Sequence, residues 1–309
     1  MNVNIELSPL ADMTNDVAGY EIVTVSVGFD HRIYVLLVNQ IPERIQGMFV
    51  PSRTDQTLTY KVLTIDEENI YETTINNQTY NYHFVQPLDK DKFLLAGART
   101  RRFSDTDYER NGKIFDLDGV QLSELLLGDG IQQVQVTLSG TIWTSYFDEG
   151  VFGKYGWDHP IGASGLIAWD REGNTFFKNH QADIIDCYAL NVVHDDEVWF
   201  YYYTPFHLSK ISDGLTEFYN PQISGSAGFI TWQDSFLFDC GYGKHDQYML
   251  LKMNAKGSFK KVQKLKFVDR EGNTLHARHR DFRGDTLVLE DRNLIYKAQL
   301  RTITAELGK

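Results

Sequence analysis

Short apolar runs alternate with polar turns along the whole chain, and their spacing repeats. One unit recurs: an apolar strand, a turn carrying Asp or Gly, then a second strand led by an aromatic or large apolar residue. It reads VSVGFDHRIYVLLV at Val25–Val38, FVQPLDKDKFLLAGA at Phe84–Ala98 and VQVTLSGTIWTSYF at Val134–Phe147. It returns as LNVVHDDEVWFYYY at Leu190–Tyr203, GFITWQDSFLFDC at Gly228–Cys240 and, more weakly, ARHRDFRGDTLVLE at Ala277–Glu290. Aligning the copies on Tyr34, Phe93, Trp143, Trp199, Phe236 and Leu287 gives steps of 59, 50, 56, 37 and 51 residues. Four-stranded propeller blades recur at about this spacing.

A third strand follows each pair, as in GKIFDLDG at Gly112–Gly119, GLIAWDREGN at Gly165–Asn174 and YMLLKMNAKG at Tyr248–Gly257. LTYKVLTIDEEN at Leu58–Asn69, LSKISDG at Leu208–Gly214 and NLIYKAQL at Asn293–Leu300 are its equivalents in the other copies. The Asp, Asn and Gly that close most of these segments tolerate the left-handed backbone of tight hairpins. A fourth, polar strand comes next, for example Val120–Leu127 or Ser258–Val268. No segment above ten residues sustains apolar positions at helical spacing. The pattern therefore predicts an all-β chain: a single β-propeller of about six four-stranded blades. The predicted blades span roughly 20–70, 71–127, 128–180, 181–220, 221–268 and 269–303. The last lacks a fourth strand, and Val3–Leu10 has no unit of its own, so the N-terminal strand is predicted to close the last blade.

Composition narrows the function. Hydrophobic residues make up 42% of the 309, enough for a core, and the 13% of aromatics suits pleated surfaces. A net charge of −12 excludes nucleic acid as an expected partner, because phosphate binding needs a basic stripe. Arg99, Arg101 and Arg102, and the looser group Arg278, His279 and Arg280, read as solvated loop charge. The N-terminus shows no basic region followed by an apolar run, and no apolar stretch reaches membrane-spanning length. The expectation is a cytoplasmic protein with no membrane partner. Cys187 and Cys240 match neither a metal spacing nor a disulfide framework and read as structural thiols.

The inner-strand pattern, as in VTLSGTIWTSYFDEG at Val136–Gly150, resembles the NHL-type, two-component-sensor and gluconolactonase-like propellers. The resemblance covers most of the chain as a pattern, without a Trp-Asp repeat ending, a kelch Gly-Gly pair or a Tyr-Trp-Thr-Asp signature. It implies a six-bladed fold and no activity.

In such a propeller, ligands meet the loops of one face, called upper, where inner strands begin and second strands end. The long loop Ser145–Gly165 belongs there and offers Asp148, Glu149, Trp157, Asp158 and His159. Its functional reading is a pocket wall; its plainer reading is a glycine-rich excursion that covers a blade edge. Alignment adds Asp186, Tyr202, Asp239 and Arg101 as candidate ligand-binding residues. The starts of inner strands also bring His83, Asp129, Tyr188 and His276 to this rim, and the second-strand ends bring Arg99 and Glu290. Tyr201–Tyr203 alternate between faces of one strand and read mostly as packing, with one or two reaching the rim.

Two functions follow. The first is a binding or interaction module whose acidic, aromatic upper face takes a small molecule or a protein, with no cofactor expected. The alternative is a metal-assisted hydrolase or lactonase. Gluconolactonase-like propellers hold a divalent cation at this place through Glu, Asn and Asp oxygens. The resemblance would carry that role to Asp148, Asp186, Asp239 and Glu290. Ser164 lies in Ala-Ser-Gly, with no Gly-x-Ser-x-Gly elbow around it.

Overall fold

The computed structural model describes residues 2–44, 50–67 and 69–307. Residues 45–49 and 68, inside the expected first blade, lie outside the described residues. The chain divides into two compact units: a continuous one, Asn15–Cys187, and a split one, Met1–Thr14 with Tyr188–Lys309.

The split unit opens with β1 (Asn2–Glu6) and β2 (Pro9–Asp12). The continuous unit then lays down β3 (Glu21–Val27), β4 (Ile33–Val38), β5 (Arg53–Asp66) and β6 (Asn69–Tyr80) as one sheet. A second sheet holds β7 (Phe84–Asp89), β8 (Lys92–Ala96), β9 (Gly112–Asp116) and β10 (Gln121–Leu125). A third holds β11 (Ile131–Val136), β12 (Ile142–Tyr146), β13 (Leu166–Trp169) and β14 (Thr175–Lys178). Between β12 and β13 come the short helix α1 (Asp148–Phe152) and a 3-10 turn at Ile161–Ser164.

The split unit resumes with β15 (Asp186–His194), β16 (Glu197–Tyr203), β17 (His207–Ser212) and β18 (Leu215–Tyr219). Asp186 and Cys187, the first two residues of β15, group with the continuous unit. Then follow β19 (Phe229–Trp232), β20 (Ser235–Asp239), β21 (Tyr248–Met253) and β22 (Phe259–Val268). The last sheet is β23 (His279–Arg283), β24 (Thr286–Asp291) and β25 (Leu294–Gln299), and helix α2 (Leu300–Leu307) ends the unit. Six blades, three per unit, make the fold an all-β six-bladed β-propeller. No helix among the described residues is long and apolar enough to cross a membrane.

The aligned large residues explain the repeat. Tyr34, Phe93, Trp143, Phe236 and Leu287 each take the second position of their strand, and Trp199 the third. All six are buried, because the second strand of each blade is covered on both faces. In β4 every residue is buried; in β10 all but the last are exposed. Within the split unit, Phe282, Leu287 and Leu289 pack against Ile230, Leu237 and Leu250. Gly228 leaves room for this: a Cβ there would stand 2.1 Å from the Phe282 ring.

The chain end closes the last sheet, with a division of labour. β2 pairs antiparallel with β25, while β1 pairs in parallel with β22 as a fifth strand of the neighbouring sheet. Ile5 of β1 is buried in the core between those sheets, and this contact fixes β1 to that edge. The first sheet runs through Tyr80, past residue 70 where the sequence pattern ended the blade, because β5 and β6 form one long hairpin.

One hexapeptide occurs twice. Asp-Arg-Glu-Gly-Asn-Thr joins β13 to β14 at Asp170–Thr175 and follows β22 at Asp269–Thr274. In both, the Asp carboxylate accepts the amides of the Glu and Asn, and the Asn side chain donates back to it. These bonds hold both carboxyls below the usual range.

Candidate functional site

In the continuous unit, Arg99 organises the loops of the second and third blades. Its guanidinium grips Asp129 through two bonds of 3.0 and 2.8 Å and donates to Glu149 at 2.5 Å. The Tyr155 ring covers it at 4.4 Å. Arg99 and Asp129 side chains are 7% and 1% exposed, so Arg99 is a buried structural cation and not the solvated charge its loop setting suggests. Burial still holds the Asp129 carboxyl above its usual range, against the pull of Arg99. The same loops are tied by the Trp157 indole N–H, which donates to the Thr100 carbonyl at 2.9 Å, and by Arg102 N–H to the Tyr155 carbonyl at 3.0 Å. Gly156, at φ +86, lets the backbones approach; a Cβ there would meet the Arg102 carbonyl at 2.1 Å.

These contacts place the candidates of the long loop. Trp157 is buried, and Glu149 is engaged with Arg99. Asp148, Asp158, His159 and Arg101 are exposed. Asp186 is half-buried, and burial followed by the charge of Asp148 pushes its carboxyl up to about 6. Half-buried His83 accepts the Ala98 amide at 3.1 Å; burial, with a smaller push from Arg99, lowers it to about 4. Cys187 is buried, and burial raises both cysteine thiols. The Ser164 hydroxyl donates to the Leu166 carbonyl.

In the split unit, the loop end gathers a different set. Tyr201 and Tyr202 are buried, but Tyr203 is 36% exposed and Tyr242 is 61% exposed. Phe206 stands against four tyrosine rings: Tyr203 at 5.3 Å, Tyr188 at 5.8 Å, the buried Tyr201 at 5.9 Å and Tyr242 at 6.2 Å. Tyr188 stacks on Tyr203, and its hydroxyl lies 3.3 Å from that of Tyr242. The result is an aromatic platform open on one side.

Beside it stands Asp239, at the end of β20 and fully buried. One oxygen accepts the amides of Ala227 and Gly241, at 3.1 and 2.9 Å. The other accepts from His245 Nδ1 at 3.1 Å. Arg280 donates to the His245 carbonyl at 2.5 Å and to the Ala277 carbonyl at 3.2 Å, so it too is committed within the fold. A second pair, His276 Nδ1 with Asp246 at 2.7 Å, adjoins the first through the loop that carries His245. Glu290 is buried, gives one oxygen to the Asn293 amide and leaves Oε2 without a hydrogen-bond partner among the described residues; burial raises its carboxyl.

Of the four carboxylates implied as cation ligands, Asp148 and Asp186 lie in the continuous unit, Asp239 and Glu290 in the split one. Among the described residues, no group of three or more His, Cys, Asp or Glu is placed to hold a metal ion. Phe206, Tyr242, His245 and Asp246 escape the sequence pattern because they lie in turns outside the strand repeat. The signal available was Cys-Gly-Tyr-Gly-Lys-His-Asp at Cys240–Asp246, a histidine within reach of the Asp that ends the preceding strand.

The fold defines a six-bladed β-propeller. The solved virginiamycin B lyase from Staphylococcus aureus is similar over 96% of this chain and 99% of its own, at 11% identity and a TM-score of 0.51. A streptogramin B lyase gives 11% identity and a TM-score of 0.51 over 94% and 96% of the two chains. A gluconolactonase from Xanthomonas campestris is more distant, with 12% identity and a TM-score of 0.45 over 79% and 81%. At these identities the likeness concerns the fold. The YxzG family matches residues 161–298. No curated protein matches the chain.

Proposed function

We propose that the protein is a binding module that holds a small molecule with a planar ring at the loop end of the split unit. The observation that carries this reading is the platform of Tyr188, Tyr203, Phe206 and Tyr242, exposed at Tyr203 and Tyr242, with His245 on the same loop as Tyr242. Packing Tyr242 inward would bury more apolar area; its exposure leaves a face free for a ligand ring.

The test is calorimetric titration with 4-nitroacetanilide, a neutral planar ring bearing a carbonyl. Binding is expected, with Tyr242→Ala weakening it about tenfold, the value of one lost aromatic contact. Equal affinity in Tyr242→Ala and the unaltered protein would remove the platform as the site.

A further inference from the structure

We infer that Asp239 and His245 form a general-base dyad, and that the platform's ligands include small aryl esters that the protein hydrolyses. The inference rests on the binding reading above and adds chemistry to it.

The position of His245 is fixed twice. A carboxylate only accepts, so the Nδ1 facing Asp239 carries the proton. The neutral ring therefore presents a lone pair at Nε2, and the side chain is 41% exposed. Asp239 cannot rotate away, because two backbone amides hold its other oxygen. The backbone of His245 is held separately by Arg280. A surface histidine needs none of this. A base that must keep one tautomer and one direction needs all of it. Of the charged groups nearby, Asp239 of β20 meets the ring, Arg280 of β23 holds its backbone carbonyl, and Lys244 and Asp246 flank it in sequence, Asp246 being paired with His276.

The step is hydrolysis. Nε2 takes a proton from water as the water oxygen bonds to the acyl carbon. The bond from acyl carbon to aryl oxygen then breaks, and the imidazolium returns its proton to the departing aryloxide. Ester and water become carboxylic acid and phenol, with no other reactant.

The full chain is assayed by release of 4-nitrophenolate from 4-nitrophenyl acetate across about pH 5 to 8.5, with 4-nitroacetanilide binding measured in parallel. Release is expected to saturate with ester and to rise with pH as one group deprotonates. His245→Gln should lower kcat about a hundredfold and leave anilide binding unchanged. His180→Gln, which alters an exposed imidazole facing a backbone carbonyl, should change nothing. Asp239→Asn keeps an oxygen for the two amides but turns an N–H toward Nδ1. That forces the proton to Nε2, so kcat should fall while binding and folding persist. Activity kept in His245→Gln, or lost equally in His180→Gln, would overturn the dyad with the binding site intact. Failure of the anilide to bind would overturn the platform itself.

Discussion

Replacing Arg99 with Met tests how the loops of the continuous unit are held. The change keeps most of the buried stem and removes the guanidinium. Asp129, 1% exposed, then keeps only backbone amide donors, with Thr100 N–H at 2.8 Å among them. Breaking one side of a buried pair costs about 3–5 kcal/mol, mostly because the partner charge stays buried and uncompensated. Losing the Tyr155 stack adds about 1 kcal/mol, and the sum rivals the whole stability of an ordinary domain, about 5–15 kcal/mol. Removing both charges, Arg99→Met with Asp129→Asn, should recover at least about 2 kcal/mol of that loss. Urea unfolding reports it by tryptophan fluorescence, since Trp157 donates to the neighbouring Thr100 carbonyl. The sign with pH is fixed as well. Asp129 already has a raised carboxyl, so the penalty in Arg99→Met is largest where Asp129 must be charged and shrinks as acid protonates it. A loss below about 1 kcal/mol, or a double variant weaker than the single one, would refute a load carried by this pair.

Two further outcomes are expected. Asp186 rises from 3.8 to about 6 on folding, so the folded chain binds more protons than the unfolded one between those values and loses stability as pH increases through them. Two pKa units set a ceiling of about 3 kcal/mol, and solvent screening of this half-buried group leaves about 1 kcal/mol. Asp186→Asn should therefore raise the melting temperature near pH 8 and leave it unchanged near pH 3.5; an equal shift at both would reject the assignment. Gly228→Ala should destabilise by about 1–3 kcal/mol in denaturant titration, because its Cβ would run into the Phe282 ring; a gain, as for an ordinary glycine in a strand, would contradict that packing.

The six strand pairs were legible because each second strand is buried on both faces and each turn needs Asp, Asn or Gly. Tyr34, Phe93 and Trp143 mark the same strand position for that reason. The outer strands were less legible, since a strand such as Gln121–Leu125 is mostly exposed and its side chains are little constrained. The first blade was drawn too short because its third segment was ended at Asn69, whereas the mostly unburied β6 runs on to Tyr80 and pairs back onto β5. Asp239 was found by alignment, as the residue ending a second strand. Its partner His245 was not, because a turn of irregular length has no register to align. Arg99 was misread because its burial depends on Asp129, thirty residues away in sequence.

The pairing of β1 and β2 with β22 and β25 has a consequence for synthesis. The continuous unit is complete once residue 187 has been made, whereas the split unit is assembled from both extremes of the chain. At about 5–20 residues per second, β2 waits roughly 15–60 s for Leu294–Gln299 to emerge. During that interval its backbone donors and acceptors are an open edge that any other strand can take. The ribosome thus delivers the continuous unit whole, while β1 and β2, made before it, still wait for β22 and β25.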